Sequence, residues 1–284
     1  MADQACEEGL QGKIAVIGVG AAGCAAAQKT AETHREETAC LCVDDGRADG
    51  FEQDLARVMS RCIGPWPALI VFSHDEATDL ELLKRVIDAA SQCACTAVIS
   101  SVPCDTDDDA GLRRACNTAK DLQKQLGPLL VFPADPAESA AETLAGAAGF
   151  FIRDIRNWYK DHIAAYDNSD LTDYFKASEG LSVLYRSPLH SGPDRAAKAL
   201  GALLEDRRLQ RLLQFGGGTC KAMMSALSTN GDLTLEEWNE AGEALQKAFA
   251  EGDRGPLLMP ALCEDESPDG SLRVTLIAGG FEPA

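Results

Sequence analysis

The segment VIGVGAAG, residues 16–23, sets Gly18, Gly20 and Gly23 at G-x-G-x-x-G spacing between an apolar, strand-like run and an alanine-rich helical pattern. Glycines at these places permit a tight turn and a close approach of phosphate to the backbone. The helix that follows supplies N–H groups and the positive end of its dipole. Asp44 and Asp45 close the next strand-like run about 25 residues further on, where a dinucleotide fold holds a ribose hydroxyl. Read alone, the motif favours an NAD-dependent oxidoreductase using Gly18, Gly20, Gly23 and Asp44. The competing reading is that the glycines serve only close packing of helix against strand.

Outward from this turn, short β-rich runs alternate with amphipathic stretches. The runs are residues 13–19, 38–43, 68–72, 96–101 and 129–132, and the helical patterns lie near 21–34, 51–61, 79–91 and 111–125. Such alternation predicts a parallel sheet covered on both faces. From 136 to about 165 the helical pattern meets few breakers except Gly146 and Gly149, which predicts one long central helix. The last third changes character. A strand at 221–227 leads to a helix at 235–250, where Thr234 and Glu237 have capping-box spacing. Strands at 257–263 and 271–278 flank the turn-like ESPDG and are expected to form a terminal hairpin. The expected class is α/β, a Rossmann-like parallel sheet with a central helix and a smaller α+β C-terminal domain.

A formal charge of −19 argues against nucleic acid and against an anionic membrane surface as partners. The longest apolar runs, 14–17 and 68–72, are too short to span a bilayer, and the acidic start MADQACEEGLQGK is no secretory signal. The expected location is the cytoplasm. Eleven scattered cysteines fit thiols in a reducing compartment. The C-x-C pairs Cys40/Cys42 and Cys93/Cys95 put both sulfurs on one face of a strand. They lack C-x-x-C spacing and a nearby His, so no metal site is expected.

Four further segments stand in order along the C-terminal half: NSDLTD (168–173), HSGPDRAAKA (190–199), GDLTLEEWNEA (231–241) and LRVTLIAGGF (272–281). Together they resemble the bacterial division protein FtsZ. NSDLTD resembles its Asn-x-Asp-x-x-Asp synergy loop. HSGPDRAAKA resembles its glycine-acid-Asn-Arg helix start, with Pro193 and Asp194 departing from the usual Glu-Asn. A weaker likeness runs through the first half. The chain thus resembles the tubulin/FtsZ superfamily, which implies a nucleotide-binding domain (1–136), a central helix (137–165) and a C-terminal domain (166–284). Members bind GTP and stack head to tail, each active site being completed by the next subunit's synergy loop.

The nucleotide side departs from that pattern. The family's glycine-rich signature loop follows the third strand, but no glycine stands between Gly64 and Gly111 here. A backbone nest for anions needs residues tolerant of unusual φ/ψ. Asp75, Glu76 and Asp79 instead put carboxylates near a terminal phosphate. Like charges about 5 Å apart repel by roughly 3 kcal/mol at an effective dielectric near 20, a sign that Mg²⁺ would reverse. The plainer reading of these acids is a solvated loop in which Thr78 or Asp79 caps the next helix. Ala21 and Ala22 replace family glycines beside Gly20 and Gly23. The resemblance places Arg114 at a nucleotide-approaching arginine, Ala110 at its acidic companion, Glu142 at the guanine-reading acid and Glu138 at the stacking aromatic. Pro133-Ala134-Asp135 stands where the family has Pro-Asn-Asp.

The synergy segment, by contrast, matches fully. Asp170 and Asp173 align with the acids that orient water on a neighbour's phosphate, and Asn168 with the loop's Asn. An ordinary helix N-terminus explains the same residue types. The chain ends at Ala284 without the linker and terminal peptide by which members reach membrane adaptors, so recruitment by that route is not expected. The implied function is a divergent FtsZ-like protein that assembles or modulates filaments and binds GTP or GDP weakly, with Mg²⁺ as the companion ion. Its expected partner is itself or an authentic FtsZ, through head-to-tail contacts. The alternatives are a working GTPase with an acidic, Mg²⁺-dependent phosphate loop, and the NAD oxidoreductase, for which no Tyr-x-x-x-Lys or His constellation is present.

Overall fold

A computed structural model of the chain describes residues 12–44, 50–60, 62, 67–74, 79–92, 96–134, 136–158, 168–216, 219–250, 255–264 and 268–282. The contacts group it into two compact units, one comprising Met1–Pro103 with Lys124–Arg153 and the other Cys104–Gln123 with Asp154–Ala284.

In the first unit the strands are β1 (Ile14–Val19), β2 (Thr38–Val43), β3 (Ala68–Ser73), β4 (Thr96–Pro103) and β5 (Leu130–Ala134). They are parallel and lie in the order β2-β1-β3-β4-β5. Every residue of β1, β3 and β5 is buried, which is why these strands read as continuous rather than alternating apolar runs. The helices are α1 (Gly20–Thr33), α2 (Phe51–Met59), α3 (Leu80–Ser91) and most of α5 (Ala140–Trp158). Ala26, Ala27 and Thr30 form the buried stripe of α1. Their small side chains let the helix axis lie close to the sheet.

The expected central helix is shorter at its start. Residues 136–138 form a turn, and α5 begins at Ala140; residues 159–165 fall outside the described residues. Ser139 stops the pattern by accepting from the Glu142 N–H through its hydroxyl, an N-cap that propensity alone does not reveal.

The second unit holds most of α4 (Asp109–Leu126), then α6 (Asn168–Ala177), β6 (Leu181–Arg186), β7 (His190–Ser191), α7 (Arg195–Leu204), α8 (Arg207–Phe215), β8 (Ala222–Thr229), α9 (Leu235–Phe249), β9 (Leu257–Glu264) and β10 (Ser271–Phe281). The strand order is β6-β10-β8-β9, with β7 against β10. This corrects the expected terminal hairpin. β9 does not pair with β10; it runs parallel to β8, and β10 lies antiparallel to the other edge of β8. A helix between β8 and β9 makes a crossover, which delivers a parallel strand. β10 then takes the remaining edge of the fully buried β8.

Candidate nucleotide site

β1 ends at Val19, and α1 begins at once with Gly20 at φ +73°. The cap residue Val19 is extended and has no side-chain hydrogen bond to the helix, and the first turn contains no acid. The first N–H groups, on Gly20, Ala21, Ala22 and Gly23, therefore meet no capping side chain. Each glycine of the motif has its own local reason. A Cβ on Gly18 would stand 2.4 Å from the Gly23 carbonyl oxygen and 2.7 Å from the Cys24 Cα. A Cβ on Gly23 would stand 2.4 Å from the Val71 carbonyl oxygen on β3. Gly20 supplies the left-handed residue. The packing reading of the motif is thus right for Gly18 and Gly23.

Packing does not exhaust the arrangement. The strand order 2-1-3-4-5 reverses between β1 and β3, and ligands of open parallel sheets sit beyond the strand C-termini at such a reversal. The uncapped first turn of α1 lies at that point. Its N–H groups and dipole fit a phosphate. Asp44 is exposed just past β2; Asp45 falls outside the described residues.

The end of β3 is built differently from a glycine loop. The Ser101 hydroxyl donates to Ser73 Oγ at 3.2 Å, and the His74 N–H donates to the Ser101 carbonyl at 2.8 Å. His74 Nδ1 is buried and has no hydrogen-bond partner among the described residues. Asp75, Glu76 and Thr78 lie outside them. Asp79 is the N-cap of α3, its Oδ1 accepting from the N–H groups of Glu81 (2.9 Å) and Leu82 (3.2 Å). Its charge is committed to the helix start, in line with the plainer reading of the acids.

Glu142 is also engaged. Its Oε2 accepts from the Ser139 N–H (3.1 Å) and hydroxyl (3.0 Å), which completes a capping box, and Lys29 Nζ stands 3.7 Å from Oε1. Hydrogen bonds from the Ser139 backbone, then its side chain, hold the carboxyl below its ordinary range, with Lys29 adding to them. The spacing Ser-x-x-Glu is the signal for this cap. Glu138, at the position of the stacking aromatic, is half-buried in the preceding turn.

Arg114 belongs to the second unit, on α4. It is largely exposed and lies 3.4 Å from Asp108 Oδ2. Asp108 caps α4 by accepting from Ala110 (3.0 Å) and Gly111 (2.9 Å). The acids around it pair with α8: Arg207 with Asp107 at 2.9 Å, and Arg211 with both Asp109 and the Thr106 carbonyl.

The synergy segment is helical throughout: Asn168, Asp170 and Asp173 all lie in α6. Asp173 is exposed and 3.8 Å from Lys176. The other end of α6 is pinned. Tyr174 is fully buried and donates to the Ile277 carbonyl at 3.5 Å. A Cβ on Gly279 would stand 2.7 Å from Ser178 Cβ and 3.2 Å from Tyr174 Oη, so α6 rests on bare backbone of β10.

The sequence motifs at 190–199 and 231–241 meet at Arg195. Its Nε and Nη2 donate to the two oxygens of Glu237 (2.7 and 3.0 Å), and Nη1 to both oxygens of Asp232 (3.0 and 2.9 Å). Glu237 simultaneously accepts from the Thr234 N–H at 3.0 Å, so the capping box read from sequence is present. The hydrogen bond from Arg195 holds Glu237 at about 2. Neither motif alone reveals that the two segments form one ion-pair hub. Among the described residues no group of three or more His, Cys, Asp or Glu could hold a metal ion. No described helix is long and apolar enough to cross a membrane.

Neither a protein-family model nor a curated protein sequence matches the chain. Solved structures do. FtsZ from M. jannaschii, solved as an empty dimer, superposes with a TM-score of 0.67 over 99% of this chain and 92% of its own, at 16% identity. CetZ2 from Haloferax volcanii, a GTPγS-bound protofilament, gives 0.61 over 95% and 93%, at 14% identity. TubZ from Bacillus thuringiensis serovar israelensis, in GDP-form protofilaments, gives 0.58 over 99% and 93%, at 12% identity. The chain therefore shares the fold of these FtsZ, CetZ and TubZ structures.

Proposed function

We propose that this protein is a filament-associated member of the superfamily whose own nucleotide site is weakened and whose synergy helix is kept. The observation that carries the reading is the asymmetry between two features. The first turn of α1 offers backbone N–H groups to a phosphate, but the β3 side has no glycine nest, Asp79 is spent on α3, and Glu142 is spent on α5. α6, in contrast, keeps Asn168, Asp170 and Asp173 in one helix seated firmly on β10. GTP or GDP would bind through α1, with Mg²⁺ as the ion that offsets nearby acids. Where bound, the nucleotide would supply a phosphoanhydride for hydrolysis. The side chains of this chain contribute orientation and charge, not covalent chemistry.

A subunit built this way suits a filament of similar subunits in one direction only. α6 would complete the nucleotide site of an authentic FtsZ, or of a second copy, in a head-to-tail contact. Surface complementarity would supply most of the affinity, and the acids would act on the transition state. The test adds substoichiometric protein to FtsZ of the same organism and follows phosphate release and filament length. The expected result is a change in both, and Asp170→Ala with Asp173→Ala should keep binding while abolishing any stimulated hydrolysis. No effect of the native protein on either quantity, or equal stimulation by the double variant, would remove the case. By itself the protein should form no long GTP-dependent filaments in electron microscopy. Robust filaments that vanish on GTP depletion would favour the Mg²⁺-dependent GTPase instead.

A further inference from the structure

Cys24, Cys40 and Cys42 are half-buried thiols gathered where α1 packs on β2. Cys42 stands opposite Gly18 in the β1–β2 register, and the absent side chain of Gly18 lets the backbone of Gly23 and Cys24 lie against β1. Cys24 Sγ lies 3.5 Å from the Gly18 carbonyl and 3.7 Å from that of Val43; Cys42 Sγ lies 3.7 Å from the Cys24 carbonyl. Each sulfur is thus held against the backbone at or beside the other cysteine.

We propose that Cys24 and Cys42 are an oxidation-sensitive pair that a hydroperoxide closes to a disulfide. Cys40 is the poorer partner. Two residues apart on one strand means about 6.6 Å, whereas bridged Cβ atoms lie about 3.5–4.5 Å apart. Its hydrogen bond to Cys42 and burial push the Cys40 thiol up, and the same two causes act on Cys24, so both neighbours stay protonated around Cys42. An attack from the Cys42 sulfur has Cys24 at hand to resolve it. The Cys42 sulfur takes the distal peroxide oxygen, the O–O bond breaks, and water or an alcohol leaves with the thiol proton. The Cys24 sulfur then attacks the Cys42 sulfenic acid, the S–S bond forms, and a second water carries off the hydroxyl. Two sulfurs are oxidised and one peroxide is reduced, without any other reagent. Cys40, which is hydrogen-bonded to Cys42, lines an open groove of ≈ 900 Å³ with Lys13, Gln28, Arg35 and Thr38, which admits a small peroxide as far as Cys40.

Bridging would draw the second turn of α1 toward the end of β2, while Gly18 and Gly23 already hold that turn tightly against β1 and β3. A consequence for phosphate binding rests on the proposed role of α1; the disulfide itself does not. The test treats the reduced full-length protein with hydrogen peroxide, blocks remaining thiols by alkylation and maps peptides without reduction. A Cys24–Cys42 linked peptide is expected, lost on treatment with dithiothreitol, retained in Cys40→Ser and absent in Cys42→Ser. Cys24 and Cys42 both recovered as alkylated thiols from the wild-type protein would overturn the proposal. So would a linked peptide that joins either of them chiefly to another cysteine.

Discussion

At the N-terminus of α9, Thr234 and Glu237 satisfy the first turn and Arg195 locks Glu237 in place. At the N-terminus of α1, Val19 contributes no side chain, and the turn is Gly-Ala-Ala-Gly. Both ends follow the rule that the first N–H groups of a helix need partners. The α9 end finds them within the chain, which makes it a stability element. The α1 end leaves them to water or to an anion, while its glycines are occupied in bringing helix and sheet together. A helix end that is finished internally has little to offer a ligand; one that is left open binds only as well as the rest of its surroundings allow.

The largest effect expected is at the finished end. Arg195 is buried, so Arg195→Met leaves Asp232 and Glu237 facing each other without their cation. Breaking one side of such a pair costs about 3–5 kcal/mol, and the partial hydration of Asp232 favours the lower figure. Urea unfolding measures it, and a loss below about 1 kcal/mol would show the hub to be ornamental, as exposed ion pairs are. Acid should probe the same hub. The folded-state value of Glu237 lies below its ordinary 4.5, so its contribution is complete above pH 4.5 and fades as pH falls toward about 2. The urea midpoint should fall across this window in the wild-type protein and fall less in Glu237→Gln.

Glycine substitutions sharpen the contrast at smaller scale. Gly23→Ala gains about 1 kcal/mol of helix propensity, but it drives a methyl group into the Val71 carbonyl. Overpacking of that kind costs about 1–3 kcal/mol, so the net change is destabilising. At Gly242, inside α9, an added Cβ would meet nothing within 4 Å, and Gly242→Ala should stabilise by about 0.5–1 kcal/mol. Thermal unfolding of the two variants should move the midpoint in opposite directions.

The parallel half of the fold was legible because buried strands alternating with amphipathic helices leave a periodic trace, and the Thr234 cap because its partner is three residues away. Pairing between strands leaves no such trace. Residues 257–263 and 271–278 flank a turn, yet β9 and β10 lie on opposite edges of β8. α8 went unread although Asp206, Leu209 and Leu212 mark a capped amphipathic turn, since its arginines matter only beside Asp107 and Asp109. At the site, the glycine turn was found and its double use was not, because the atoms that forbid a Cβ belong partly to β3, far away in sequence. Glu142 was read through a resemblance, whereas the serine three residues before it states its local role.

The central claim is that α1 offers a phosphate site without the surroundings that make it strong. Calorimetric titration of the full chain with GTP in the presence of Mg²⁺ tests this most directly. The account predicts a dissociation constant well above the micromolar range, and submicromolar binding would contradict it.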